Sequence, residues 1–440
     1  MLIKKLVRSA SEVFMKNKSK VLICALLAIS IFALSSCFYS AEPNSNGLTK
    51  ADVENMIGDI EQNVTVNGGN TYDVTINSNG NQNLLAASKS LLSAVSVVCN
   101  FEIVKTYYPI FGMQAQTQTE KATSSGSGVI YTLDKAKGDA YIITNYHVVY
   151  CKGANTEDDI SDDIKVYLYG QEYEEYAINA EYVGGSVNYD IAVLRVKSDN
   201  ILRESNAVAA EFADSNMTCV LDTAIAIGNP GAGGISATVG AVNVDSENIT
   251  ISSVDGSGLI SIRVLRIDAA VNSGNSGGGL FNSEGKLIGI VNAKMSDSSI
   301  DNIGYAIPSN VAKYVADNVI YYDNLDDKND SVYRLMLGIN VGIERAYTKY
   351  DTETGKVHKL ETVKVDNIVS GGVAEGKLQS DDIISAVTID GVKYEIVRTF
   401  NVIDVMLTAR QSSSVVFHIS RDGVNMDVSI DLSGVSLTQY

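Results

Sequence analysis

The chain has 440 residues, enough for two or three domains with large cores. Hydrophobic residues at 45% and charged residues at 20% are ordinary for a globular protein. The formal charge is −18; setting aside six bases and one acid in residues 1–36 leaves 28 bases against 51 acids, or −23. So acidic a body disfavours nucleic acid as a partner and suits solubility outside the cell.

The N-terminus reads as a targeting segment. Lys4, Lys5, Arg8, Lys16, Lys18 and Lys20 precede an apolar run from Val21 to Leu34, which ends in Leu34-Ser35-Ser36-Cys37. Residues 1–36 resemble a bacterial lipoprotein signal with Cys37 as the lipid acceptor. Cleavage there would leave a diacyl anchor. The stretch to Tyr39 is also nearly long enough for an uncleaved membrane span. Either way the body lies at the extracytoplasmic face of the cell membrane. Residues 37–83, rich in Asn, Gly and Thr, read as a tether with one short helix over Leu48 to Ile60.

A short helix over Leu84 to Leu92 leads into a strand over Ala94 to Val104. Short β-like runs separated by Gly, Asn and Asp follow. They are Gly128 to Tyr131, Ala140 to Thr144, Ile164 to Tyr169, Ile191 to Val196, Ala224 to Ile227, Ile262 to Ile267 and Leu287 to Val291. Many short strands with turn signals imply an all-β barrel or sandwich. Cys99, Cys151 and Cys219 remain once Cys24 and Cys37 are set aside. Their odd number and spacing suit buried free thiols, with a Cys99–Cys151 bridge left open.

Three stretches at the edges of these runs carry chemistry. They are Thr144-Asn145-Tyr146-His147-Val148-Val149, Asn188-Tyr189-Asp190-Ile191 and Asn272-Ser273-Gly274-Asn275-Ser276-Gly277-Gly278. A serine hydroxyl is a poor nucleophile at neutral pH and needs a base, which in turn needs an orienting acid. The chain has three histidines. His358 and His418 lie far downstream and read as ordinary fold residues, which leaves His147 as the natural base for Ser276. Asp190 then holds the imidazole, and the glycines let the N–H groups of Gly274 and Ser276 point at an oxyanion.

These stretches follow the order of chymotrypsin-type proteases, and further motifs narrow the resemblance. Gly126-Ser127-Gly128-Val129-Ile130, Ala226-Ile227-Gly228-Asn229-Pro230 and Gly304-Tyr305-Ala306-Ile307-Pro308 resemble the HtrA/Deg family of extracytoplasmic serine proteases, over roughly residues 85 to 315. Ser273 and Gly279 depart from prolines common in that family. The resemblance implies a mainly β fold, a chymotrypsin-like double six-stranded antiparallel β-barrel over residues 84–322, followed by a PDZ domain over 331–434. It also implies a homotrimer that needs no metal or cofactor. Ala270, six residues before Ser276, matches the base of the primary pocket, with Val291, Asn292 and Ala293 as its wall. No charge lies there, so a small or medium apolar side chain is expected before the cleaved bond.

Digestive relatives carry an aspartate where Asn275 stands, and pair it with a new N-terminal amine. A neutral amide cannot form that ion pair, so switching by loop ordering is expected, with the polar stretch Thr106 to Ser125 as the candidate sensor. Gly228-Asn229-Pro230-Gly231-Ala232-Gly233-Gly234 lacks the Lys-Ser/Thr ending of a phosphate loop. Glu157-Asp158-Asp159 with Asp162-Asp163 lacks the spacing of a calcium loop.

A helix over Val311 to Ile320 and an acidic linker with Asp323, Asp326, Asp327 and Asp330 precede the tail. There Leu337-Gly338-Ile339 resembles a PDZ carboxylate-binding loop, and Asp381-Asp382 departs from the usual Gly-Asp. Such domains bind peptide C-termini by strand addition. The expected function is a membrane-tethered endopeptidase that degrades misfolded exported proteins in quality control and stress response. The alternative is a peptide-binding scaffold or holdase with an idle protease domain.

Overall fold

The structure, a computed structural model, describes residues 87–107, 116–156, 158–293, 303–325 and 331–440. The expectations for the anchor, Cys37 and the tether lie outside the described residues. After a helical turn over 87–93, six strands close into a first barrel. They are β1 (Ala94–Tyr107), β2 (Gln116–Asp134), β3 (Asp139–Thr144), β4 (Asp163–Leu168), β5 (Ile178–Ser186) and β6 (Ile191–Val196). The order around the barrel is β1-β2-β3-β6-β5-β4.

Period-two burial explains β1: Val95, Val97, Cys99 and Phe101 are all buried in one core cluster. Closure leaves no free sheet edge for stray pairing. The polar stretch expected to be a loop is in part strand. Gln116 to Ser125 pairs with β1, from Tyr107↔Gln116 to Val98↔Ser125, and Lys105 reaches Glu120 at 2.6 Å. Residues 108–115 lie outside the described residues. The short helix α1 (Tyr146–Val149) follows β3.

The second barrel has the order β10-β11-β12-β9-β8-β7. Its strands are β7 (Thr223–Gly228), β8 (Ser236–Ser252), β9 (Leu259–Ile267), β10 (Gly279–Phe281), β11 (Leu287–Val291) and β12 (Gly304–Pro308). Helix α2 (Ser309–Asp323) then buries Val311, Ala312, Val315, Ala316 and Val319, spaced for one helical face. That face packs against β5 and β6 of the first barrel and β11 of the second, so α2 clamps both. Asp323, expected in the linker, ends this helix and holds Arg195 of β6 at 2.6 Å.

The C-terminal part is a six-stranded sheet of β14 (Ile339–Tyr350), β15 (Val357–Ile368), β16 (Ile383–Ile389), β18 (Ser414–Arg421) and β19 (Val424–Asp431), with β17 (Val392–Glu395) on β16. Helix α3 (Thr399–Val405) packs beside β14. A separate pair joins β13 (Tyr333–Leu335) to β20 (Leu437–Gln439), so the fold runs past the expected end at 434. Asp381, at the place of the usual glycine, adopts φ +68°, a left-handed conformation that Asp tolerates better than most residues. The buried Asp382 accepts two hydrogen bonds of 2.7 Å from Arg421.

The C-terminal sheet is bolted to the barrels. Fully buried Asn318 of α2 donates to Tyr333 O (2.9 Å) and Leu407 O (3.0 Å), and accepts from Tyr333 N–H at 2.9 Å. Arg263 of β9 pairs with Asp404 of α3 and stacks over Phe400, 4.0 Å from the ring centre. His358 and His418 have specific partners: His358 Nδ1 lies 3.2 Å from Cys219 Sγ, and His418 Nδ1 lies 2.7 Å from Asp427. Cys99, Cys151 and Cys219 are free. Among the described residues no helix is long and apolar enough to cross a membrane, and no group of three metal-type ligands is found.

Candidate active site

His147 and Asp190 come from the same end of the β3–β6 pairing, where Thr144 lies opposite Ala192. His147 sits in α1, three residues past the end of β3, and Asp190 immediately precedes β6. A tight turn, closed by Asp190 N–H donating to Val187 O at 3.3 Å, puts Asp190 at φ +49°. Gly185 makes room behind it, since a Cβ there would meet Ile191 O at 2.6 Å. The carboxylate grips His147 at two points. Oδ1 accepts from the backbone N–H at 3.0 Å, and Oδ2 lies 2.7 Å from Nδ1. With a proton on Nδ1, the lone pair of Nε2 is left for base chemistry.

Asp190 is 2% exposed, and burying a carboxylate is costly unless donors surround it. A third donor is Asn292 Nδ2, 2.6 Å from Oδ2. The sequence placed Asn292 in the pocket wall, but its fully buried side chain turns inward to Asp190. Val291 is likewise buried in the barrel core rather than lining a pocket. Every residue of β11 is buried, and Asn292 just past its end is buried as well. Ala270 is exposed, and its carbonyl accepts from Thr238 Oγ1 at 2.9 Å. Ala293 N–H donates to Ser276 Oγ at 3.2 Å. The segment 291–293 thus touches both Asp190 and Ser276.

Ser276 is buried in the loop that precedes β10. The loop is shaped by Gly274 at φ +99° and Gly277 at φ +83°, both in the left-handed region that favours glycine. Gly231 N–H holds Ser273 O at 2.9 Å, and Asn275 N–H holds Asn272 O at 3.0 Å. The Gly228–Gly234 loop therefore lies against the serine loop. Among the described residues, neither Gly274 N–H nor Ser276 N–H donates to a protein acceptor. Asn275 is 3% exposed, and its Oδ1 has no partner among the described residues.

In the tail, Gly338 has φ +74°, and a Cβ on it would meet Gly372 Cα at 2.7 Å. Val369 N–H holds Gly338 O at 2.8 Å, and Ala374 N–H holds Leu337 O at 3.1 Å. A trans peptide directs its N–H opposite to its C=O. The N–H groups of Gly338 and Ile339 therefore face away from the 369–374 loop. β14 is an edge strand with α3 beside it.

Two closed six-stranded barrels in succession are the architecture of trypsin-like peptidases, and the family profile of the trypsin-like peptidase domain matches residues 126–290. The Serine protease Do-like HtrA of Lactococcus lactis subsp. lactis (strain IL1403) is 30% identical over 321 residues, 69% of each chain. The Serine protease Do-like HtrA of Bacillus subtilis (strain 168) is 34% identical over 281 residues, 62% of this chain; the match spans 57% of that protein's length. The solved HtrA-type protease AlgW with decapeptide is 25% identical over 81% of this chain and 98% of its own, with a TM-score of 0.46. The chain belongs to the HtrA family of trypsin-like serine proteases.

Proposed function

We propose that this chain is a serine endopeptidase in which Ser276 is the nucleophile, His147 the base and Asp190 its orienting acid. The observation that carries the reading is the two-point grip of Asp190 on His147, linked through Asn292 and Ala293 to the Ser276 loop. Ser276 Oγ attacks the scissile carbonyl while Nε2 takes its proton; the same proton then goes to the leaving amine. The N–H groups of Gly274 and Ser276 hold the oxyanion, where each donor typically contributes about 2.7–4 kcal/mol. Water repeats the sequence on the acyl-enzyme. Catalytic hydrogen bonds tighten on substrate binding, so Ser276 Oγ, which accepts from Ala293 N–H, donates its own proton to the imidazole at that stage.

Residues 84–322 form the protease domain. Residues 331–434, extended by β20, form a PDZ domain that receives the free carboxyl end of a peptide at Leu337, Gly338 and Ile339, and adds the peptide as a strand on β14. The edge position of β14 and the held carbonyls of Leu337 and Gly338 favour this. Substrates are misfolded exported proteins, the enzyme is tethered to the outer face of the membrane through its N-terminal segment, and it works as a homotrimer. Asn275 carries no charge to capture an amine, so activity responds to loop ordering and to peptide at the tail. The test is hydrolysis of unfolded casein by the wild type and Ser276→Ala, with fluorophosphonate labelling of Ser276 that His147→Ala abolishes. Casein hydrolysis surviving Ser276→Ala would refute the reading; a wild type that binds casein without cutting it would favour an idle, scaffold-like protease domain.

A further inference from the structure

Ser127 occupies the point where the two barrels meet behind Ser276. It lies in β2 between Gly126 and Gly128 and is fully buried. Every polar group it carries is used. Its backbone N–H donates to Ser276 O at 2.8 Å, and its carbonyl accepts from Thr144 Oγ1 at 2.7 Å. Its hydroxyl donates to Gly274 O at 2.6 Å and accepts from Asn229 N–H at 2.8 Å. One side chain of the first barrel thus joins two loops of the second, the one that follows β7 and the one that holds Ser276.

The consequence falls on Gly274. Its two flanking peptide planes are each held by their carbonyl, the Ser273 oxygen by Gly231 N–H and the Gly274 oxygen by Ser127 Oγ. Because a planar trans peptide points its N–H opposite to its C=O, the Gly274 N–H is aimed away from the Gly231 contact. With both planes tied, φ stays at +99°. The site is also packed to leave no slack. A Cβ on Gly228 would meet Ser127 Oγ at 2.9 Å, and one on Gly277 would meet Ser127 O at 2.2 Å.

We infer that Ser127 is a positioning residue of the reaction, whose hydroxyl locks Gly274 in the conformation that presents its N–H to the oxyanion. The inference rests on the reading of Ser276 as nucleophile and Gly274 N–H as oxyanion donor. Ser127 touches no substrate and acts only through Gly274. Without its hydroxyl, Gly274 O and Asn229 N–H lose their shared partner, and the peptide plane after Gly274 keeps one tie in place of two, Asn275 N–H donating to Asn272 O at 3.0 Å.

The experiment compares wild type, Ser127→Ala, Ser127→Cys and Ser276→Ala in the full chain on one chromogenic peptide. Active sites are counted by fluorophosphonate labelling taken to completion, so that misfolded protein is excluded. Removing an oxyanion donor outright lowers kcat by about 10²–10³-fold. A donor left in place but unlocked should lose part of that, so Ser127→Ala should lower kcat per labelled site by about 10–100-fold, with KM little changed. A peptide aldehyde, whose hemiacetal oxygen uses the same donors, should bind more weakly by a similar factor, while the cleaved product peptide binds as before. Ser127→Cys, which keeps a weak donor, should fall between the two and decides the matter if Ser127→Ala does not fold. A wild-type kcat per site and unchanged aldehyde affinity in whichever variant folds, even with a lowered Tm, would show a purely structural role and overturn the inference. Hydrolysis retained by Ser276→Ala would instead overturn the nucleophile on which it rests.

Discussion

Asn292→Ala isolates the contribution of one hydrogen bond to the proposed mechanism. Its Nδ2 lies 2.6 Å from Asp190 Oδ2, the same oxygen that lies 2.7 Å from His147 Nδ1. Both Asn292 and Asp190 are buried, at 0% and 2% exposure, so water does not readily replace the lost donor. A hydrogen bond to a charged group is worth about 1.5–3 kcal/mol. At about 1.4 kcal/mol per tenfold in rate, full expression in the transition state lowers kcat by about 10–150-fold. KM should hold, because the Asn292 side chain is fully buried against Asp190 and presents no surface to a substrate. The assay is kcat and KM on a small chromogenic peptide, normalised to fluorophosphonate-labelled sites. Asn292→Asp sharpens the test, since it keeps the shape but sets a second carboxylate against Asp190. Like charges at such a distance repel, so this variant should lose more than Asn292→Ala. A kcat within twofold of wild type for Asn292→Ala, or an Asp variant as active as the Ala variant, would refute the reasoning.

The barrels were legible because their strands announce themselves by period-two burial. Val95, Val97, Cys99 and Phe101 alternate inward along β1, and every residue of the Ile191 to Val196 run except Arg195 is buried. His147, Asp190 and Ser276 stood out because each ends or begins such a run, and the structure sets the first two within 2.7 Å. The roles of Asn292 and Ser127 were hidden for another reason. Their partners lie 102 and 147 residues away, and which way a side chain faces depends on strand orientation rather than on local pattern. The outer half of the β1–β2 hairpin escaped notice because it has no core to face. Its exposed Thr117, Gln118 and Thr119 carry no apolar alternation. The β14–β15 arm is hidden likewise: Glu344 to Tyr350 is exposed throughout, and a bulge at Ile343/Arg345 breaks the register. Cys219 and His358 meet only because that arm reaches back to the second barrel.

Two further outcomes follow from buried chemistry. Burial, with a smaller contribution from Asp163, pushes the Cys99 thiol up to about 12. It therefore stays protonated and shielded, and iodoacetamide at pH 8 should leave Cys99 unmodified in native protein but label it in urea; labelling at equal rates in both would contradict its place in the core. The last outcome concerns Arg263 and Asp404, each with a side chain only 9% exposed. Removing one member of a buried pair strands the other charge, which typically costs about 3–5 kcal/mol, whereas replacing both with apolar groups of similar size is close to neutral. Asp404→Ala should therefore lower stability to urea by about that amount, and Arg263→Met with Asp404→Leu should recover most of it. The pair joins β9 to α3, so the loss should appear as one transition for barrels and tail together if the bolt makes them a single cooperative unit. A cost below about 1 kcal/mol for the single change would mean that the pair is solvated. Two separate transitions already in the wild type would mean that the tail folds independently of the barrels, whatever this contact contributes.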